Sequence, residues 1–228
     1  MRLRPIPFLT AGMLFGVTAL AQPAPGLAGR IDGEVYTSAT GEFSIPLPVL
    51  KELGGTVTDT ENVVTFGDSY NTHISIACFP QDAAQNWELE TRGRRDYLLY
   101  FFTNFVLADF TKRFPGSRIE SARFMPEFME GALIAYALLP GGSFFEGKNR
   151  VTDAPVSAPA ADPVVAKRGT MLFVRRGFVY VVSTELAERA TQRSTYQLTT
   201  EKENTLLSER LTALAGRLVF PPPKPRAP

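Results

Sequence analysis

The chain has 228 residues, 44% of them hydrophobic and 21% charged, with a formal net charge of +1, one cysteine and one histidine. Length and composition suit a single globular domain with extensions. Near-neutral charge gives no electrostatic reason to seek nucleic acid or anionic lipid, a lone cysteine excludes an internal disulfide, and two Cys/His side chains in total exclude a zinc-type centre.

At the amino end Arg2 and Arg4 precede a mostly apolar run, Phe8 to Leu20, and Ala19-Leu20-Ala21 follows the small-x-small pattern. That order is a secretory signal peptide at 1–21, with an uncleaved anchor as the alternative. A permanent anchor takes about 20 apolar residues, more than this run supplies. Cleavage removes two arginines and no acid, leaving 207 residues with 22 basic against 23 acidic side chains and no integral membrane segment. The expected location is the periplasm or the cell exterior.

Residues 22–32 are Pro/Ala/Gly-rich and read as a flexible linker. In "GEFSIPLP", Phe43, Ile45 and Leu47 alternate, but Pro46 and Pro48 donate no ladder hydrogen bonds, which predicts an edge strand. Two short strands, Thr56 to Thr58 and Val63 to Phe66, flank the turn formers Asp59 to Asn62. "HISIACFP" then puts Ile74, Ile76 and Cys78 on one strand face and His73, Ser75 and Ala77 on the other. Cys78 shares the apolar side and is expected to be a buried, inert thiol.

"DYLLYFFTNFVLADF" spaces Leu99, Phe102, Val106 and Phe110 at three and four, with Leu98, Phe101 and Phe105 beside them. This is one long helix whose wide stripe faces a sheet, with every ring in the core. Thr103-Asn104 interrupts the run, so it does not span a bilayer, and Pro115-Gly116 ends it. "RIESARFM", "GALIAYALLPGG", "GTMLFV" and "GFVYVVS" are strands, the last two joined by "RRG" at Arg175 to Gly177. Residues 141–169, with a Pro/Ala/Ser/Asp middle, read as a long mobile insertion in a hairpin. Thr200 with Glu203 fits a capping box, Leu207, Leu211, Leu214 and Leu218 repeat at three and four, and Gly216 lies near the helix stop. A Pro-rich disordered tail fills 221–228. The fold class is α+β, an antiparallel sheet covered by a long central helix and a C-terminal helix, in one domain at 33–220.

This succession resembles the PsbP-like family, named for the extrinsic subunit of the oxygen-evolving complex, whose fold is shared by a Ran-binding nuclear import factor. The residues that carry the likeness are "VYTSATGEFSIPLP", "VTFGDSYNTHISI", "RRDYLLYFFTNFVLADFTKRF", "ALIAYALLPGG", "RGTMLFVRRGFVYVVSTE" and "LAGRLVF". The resemblance implies an α/β/α sandwich and a non-catalytic accessory or binding role, and it carries over no residue roles.

No catalytic, cofactor-binding or metal site is expected. His73 is the sole histidine available as a base, Cys78 lies on the opposite strand face from it, and no G-x-S-x-G or phosphate loop is present. Asp59, Glu61 and Asp68 offer oxygens for calcium but read first as solvated turn acids. Glu127 and Glu130 read as turn residues. Arg92, Arg94, Arg95, Arg175 and Arg176 are a candidate basic rim for an acidic partner, with solvated charges as the simpler reading. Tyr36, Tyr70 and Tyr100 are candidate interface anchors. The expected function is therefore an exported non-catalytic binding protein with a protein partner. Its rivals are a hydrolase using His73 or a carboxylate pair, and a carrier holding an apolar molecule between Phe101, Phe105 and the sheet.

Overall fold

A computed structural model describes residues 26–146 and 163–222. The expected signal at 1–21, the start of the linker, the middle of the insertion (147–162) and most of the tail lie outside the described residues. Strands β1 (Arg30–Asp32), β2 (Val35–Thr37) and β3 (Ser44–Pro46) form a small antiparallel sheet. The linker therefore ends before Arg30, because Ile31 pairs with Tyr36. β3 is an edge strand of this sheet, as its prolines require, and Ser44 bridges to Val219 near the chain end.

The main sheet holds β4 (Thr56–Asp59), β5 (Val63–Gly67), β6 (His73–Pro80), β7 (Arg118–Met125), β8 (Ala132–Pro140), β9 (Val165–Arg175) and β10 (Phe178–Glu185). Its order is β4-β5-β6-β10-β9-β8-β7, antiparallel throughout. Arg176 and Gly177 both take positive φ, 53° and 78°, between β9 and β10. That is the primed two-residue turn whose twist suits a hairpin, and Gly177 meets it without a Cβ penalty.

Strands β8 to β10 are buried on both faces, which explains their nearly continuous apolar runs. On one face Ile76, Cys78, Phe173 and Tyr180 pack against Leu207, Leu211 and Leu214 of α5 (Thr200–Gly216), the helix after the short α4 (Glu188–Thr191), and against Tyr36, Phe43 and Ile45 of the small sheet and its loop. On the other, Leu133, Ala135, Leu172 and Val179 meet Tyr97, Leu98, Phe101 and Phe102. No helix among the described residues is long and apolar enough to cross a membrane.

Four expectations need correction. The central helix is not one regular stripe. It comprises α1 (Ala83–Arg92), started by Asp82 accepting from the Gln85 amide, then after Gly93 α2 (Arg94–Phe101), a π-helical turn at Phe102–Leu107, and α3 (Ala108–Arg113). Thr103 and Asn104, the polar break in the run, bond back to the Leu99 and Tyr100 carbonyls at 2.9 and 2.8 Å, in competition with the backbone ladder. The wider turn shifts the angular register of the residues after it. Leu99, ahead of that turn, is 40% exposed and Phe105, within it, 47%, while Tyr97, Leu98, Phe101 and Phe102 form the buried contact. Val106 and Phe110 are only half-buried.

The insertion ends sooner than residue 169, since β9 begins at Val165. Lys167 and Arg168 look like loop residues because they are charged, yet both are buried and matched by carboxylates. The residue capping α5 is Thr199 rather than Thr200; its side chain accepts from the Lys202 amide. Glu203 is turned inward to Lys167 and Arg189, so it does not close a capping box. Pro221, at the start of the tail, is held through its carbonyl by Arg176, and the adjoining Phe220 packs edge-on against Tyr180.

Candidate functional site

The π turn and the small residues of β6 and β10 leave a gap between the two layers. α2 packs over β8 and β9, so the outer half of the sheet face, on β5, β6 and β10, is less tightly roofed. Ser75, Ala77 and Ser183 make a low floor there, and Phe101, Phe105, Val106 and Phe110 form the roof. The result is a cleft of about 730 Å³, within the usual size range of small-ligand sites.

One end of the cleft is built by β9, β10 and the loop after β8. Glu185 is almost fully buried and accepts from Ser143 Oγ at 2.5 Å and from the Phe144 amide at 3.1 Å. Those two bonds hold Phe144 so that its ring stacks on the imidazole of His73, 10° from parallel. The Arg168 guanidinium lies over the other aromatic neighbours, 4.6 Å from the Phe144 centroid and 5.0 Å from that of Phe110. Arg168 is 6% exposed, donates to the Gly142 carbonyl at 3.3 Å and stands 3.6 Å from Glu185. Its buried Nε has no hydrogen-bond partner. Burial pulls the guanidinium below its ordinary pKa, Glu185 opposes that, and the like charge of Arg113 adds to it. Arg113 and Asp109, paired at 2.8 Å, also line the cleft.

Of the residues singled out in the sequence, His73, Phe101 and Phe105 meet in this cleft. The strand alternation correctly separates His73 from Cys78, which is buried on the opposite face; burial pushes its thiol up to about 12, against a hydrogen bond from Tyr180. The hydroxyl of Ser183 is taken up by Thr170 at 3.1 Å. Asp59 and Asp68 stand at opposite ends of β5 and do not converge on an ion. Asp59 accepts from Tyr36 and from the Ala28 and Gly29 amides, and Asp68 from three amides of its own turn. Among the described residues no cluster suited to a metal ion is present.

Glu130 is a turn residue, with φ 62°, but it also anchors two arginines of the expected rim, Arg94 at 4.0 Å and Arg175 at 3.5 Å. Arg92 pairs with Glu88 and lies over Tyr100, and Arg176 holds the Pro221 carbonyl. Arg92, Arg94, Arg175 and Arg176 are thus engaged within the fold, and Arg95 is exposed. Tyr36 is core and not an interface anchor, whereas Tyr70 is exposed. Arg168 and Phe144 are not recognisable as site residues from the sequence because both lie in the stretch assigned to the insertion. The signal for Arg168 is the β-branched Val164-Val165 just before it, which extends the strand.

No protein-family model matches the chain, and no curated protein matches its sequence. Among solved structures it is similar to cyanobacterial PsbP (CyanoP) from Synechocystis sp. PCC 6803, at 12% identity and TM-score 0.46 over 82% of this chain and 91% of that one. It is also similar to the Ran-binding protein Mog1p of Saccharomyces cerevisiae, at 7% identity and TM-score 0.45 over 86% of this chain and 96% of that one. The likeness is one of fold alone.

Proposed function

We propose that the protein is an exported, non-catalytic binding protein that holds a small apolar ligand in the cleft between the helical layer and β5, β6 and β10. The observation that carries this reading is the cleft itself: about 730 Å³ roofed by Phe101, Phe105 and Phe110, apolar surface left uncovered inside an otherwise close-packed fold. His73, the candidate base of a hydrolase, serves there as a stacked wall beside Phe144.

The neutral dye N-phenyl-1-naphthylamine should brighten on binding the wild-type chain. Ser75→Trp places an indole on the floor and should weaken the dye by about tenfold or more, with stability changed by no more than about 1 kcal/mol. Equal dye binding by the two proteins would place the dye elsewhere and remove the support for the cleft as a ligand site. Native mass spectrometry of gently purified protein gives the complementary reading, a ligand-bound mass that Ser75→Trp lacks.

Export rests on the charge, apolar run and small residues of 1–21. Amino-terminal sequencing of the protein recovered outside the cytoplasm should start at Gln22. A start at Met1 would mean that the segment is kept.

A further inference from the structure

The cleft is not uniformly apolar, and the buried guanidinium of Arg168 in its lining narrows the choice of ligand. The Arg168 guanidinium lies over the rings of Phe110 and Phe144, 5.0 and 4.6 Å from their centroids, contacts that suit a delocalised guanidinium better than an ammonium. Glu185 engages it loosely: the pair stands at 3.6 Å, and the Glu185 oxygens also serve Ser143 and the Phe144 amide. The second guanidinium on the cleft, Arg113, repels the first and is partnered by the exposed Asp109.

A neutral ligand leaves the guanidiniums of Arg168 and Arg113 in the lining without a new partner, and an amine meets both with like charge. A small inorganic anion leaves the Phe walls and most of the volume unused. We propose that the cleft takes an amphipathic monocarboxylate, its carboxylate bound by Arg168 with Arg113 nearby and its apolar body lying along Phe101, Phe105 and Phe110. This inference rests on the cleft being a ligand site.

The test is displacement of N-phenyl-1-naphthylamine from the full chain by hexadecanoate, hexadecanol and hexadecylamine. Hexadecanoate should displace the dye about tenfold more effectively than hexadecanol, and hexadecylamine should be weakest. The double variant Arg168→Gln/Glu185→Gln removes both charges together, so that neither is left alone, and should reduce the hexadecanoate-to-hexadecanol ratio to about twofold or less. Arg113→Gln, on the exposed end of α3, keeps the fold out of question and should reduce the same ratio about threefold. A wild-type chain that takes hexadecanol as well as hexadecanoate overturns the carboxylate assignment while leaving the cleft reading intact. So does a ratio unchanged in Arg113→Gln and in the folded double variant. If the dye does not bind the wild-type chain at all, the cleft reading itself fails.

Discussion

Leu211→Asp is expected to lower folding stability by about 3–5 kcal/mol, a large part of what a domain of this size possesses. Leu211 is fully buried in the middle of α5, where its neighbours are Leu207, Leu214 and the sheet. The helix comes unusually close there because β9 carries Gly169; a Cβ on that glycine would stand 3.0 Å from Leu211 Cδ1 and 3.2 Å from Leu207 Cβ. An aspartate carboxylate at this point would lose water and meet only hydrocarbon and backbone. Urea unfolding at neutral pH should show a markedly lower midpoint. A midpoint equal to wild type would mean that α5 does not close this face of the sheet.

Glu203→Leu should be comparably damaging, by about 3–5 kcal/mol, through the charges it strands rather than the one it removes. Lys167 is fully buried, with Nζ 2.9 Å from Glu203 Oε2, and Arg189 Nε lies 2.8 Å from the other oxygen. Tyr196 adds its hydroxyl, and Glu120 reaches Lys167 from β7. Without Glu203, Lys167 keeps only the more exposed Glu120. Lys167→Met together with Glu203→Leu removes the orphaned charge as well and should recover most of the loss. A double variant no more stable than the single one would show that packing, not charge, is what Glu203 supplies.

The same carboxylate has a predictable pH signature. Burial pushes Glu203 up, but hydrogen bonds from Tyr196 and Lys167 and the charges of Arg189 and Lys167 more than offset this and hold it below its ordinary value. A carboxyl with a lowered folded pKa binds fewer protons in the folded chain than in the unfolded one. Its contribution is therefore complete above the unfolded value, about 4.3, and is lost as pH falls through the lower folded value. Glu203→Leu lacks that component, while Asp59, Asp68 and Glu188, also lowered, are common to both chains. The stability gap between wild type and variant should shrink between neutral pH and about pH 3.5. A constant gap across that range would count against the ionised network.

Much of the sheet is legible in the sequence because strand alternation and turn chemistry are local. Ile74, Ile76 and Cys78 face one core as their spacing requires, Leu207, Leu211, Leu214 and Leu218 are all buried, and Arg176-Gly177 makes the hairpin. The central helix is harder to read. Its apolar residues are so dense that several stripes fit them; the one that packs runs through Tyr97 and Leu98 and leaves Leu99 exposed, and the π turn then breaks the helical period beyond Phe101. Lys167 and Arg168 mislead for a related reason: a charged pair inside a strand looks like a loop until its partners, Glu203 and Glu185, arrive from 36 and 17 positions away.

The α+β class, the strands and their faces, and the apolar stripe of α5 are all written in the chain, since each depends on residues a few positions apart. The cleft, its floor of Ser75, Ala77 and Ser183, and the guanidinium over the rings of Phe110 and Phe144 exist only once the layers have packed. A gap between layers is set by how two distant surfaces fail to meet, and no periodicity within one segment records the shape of the other.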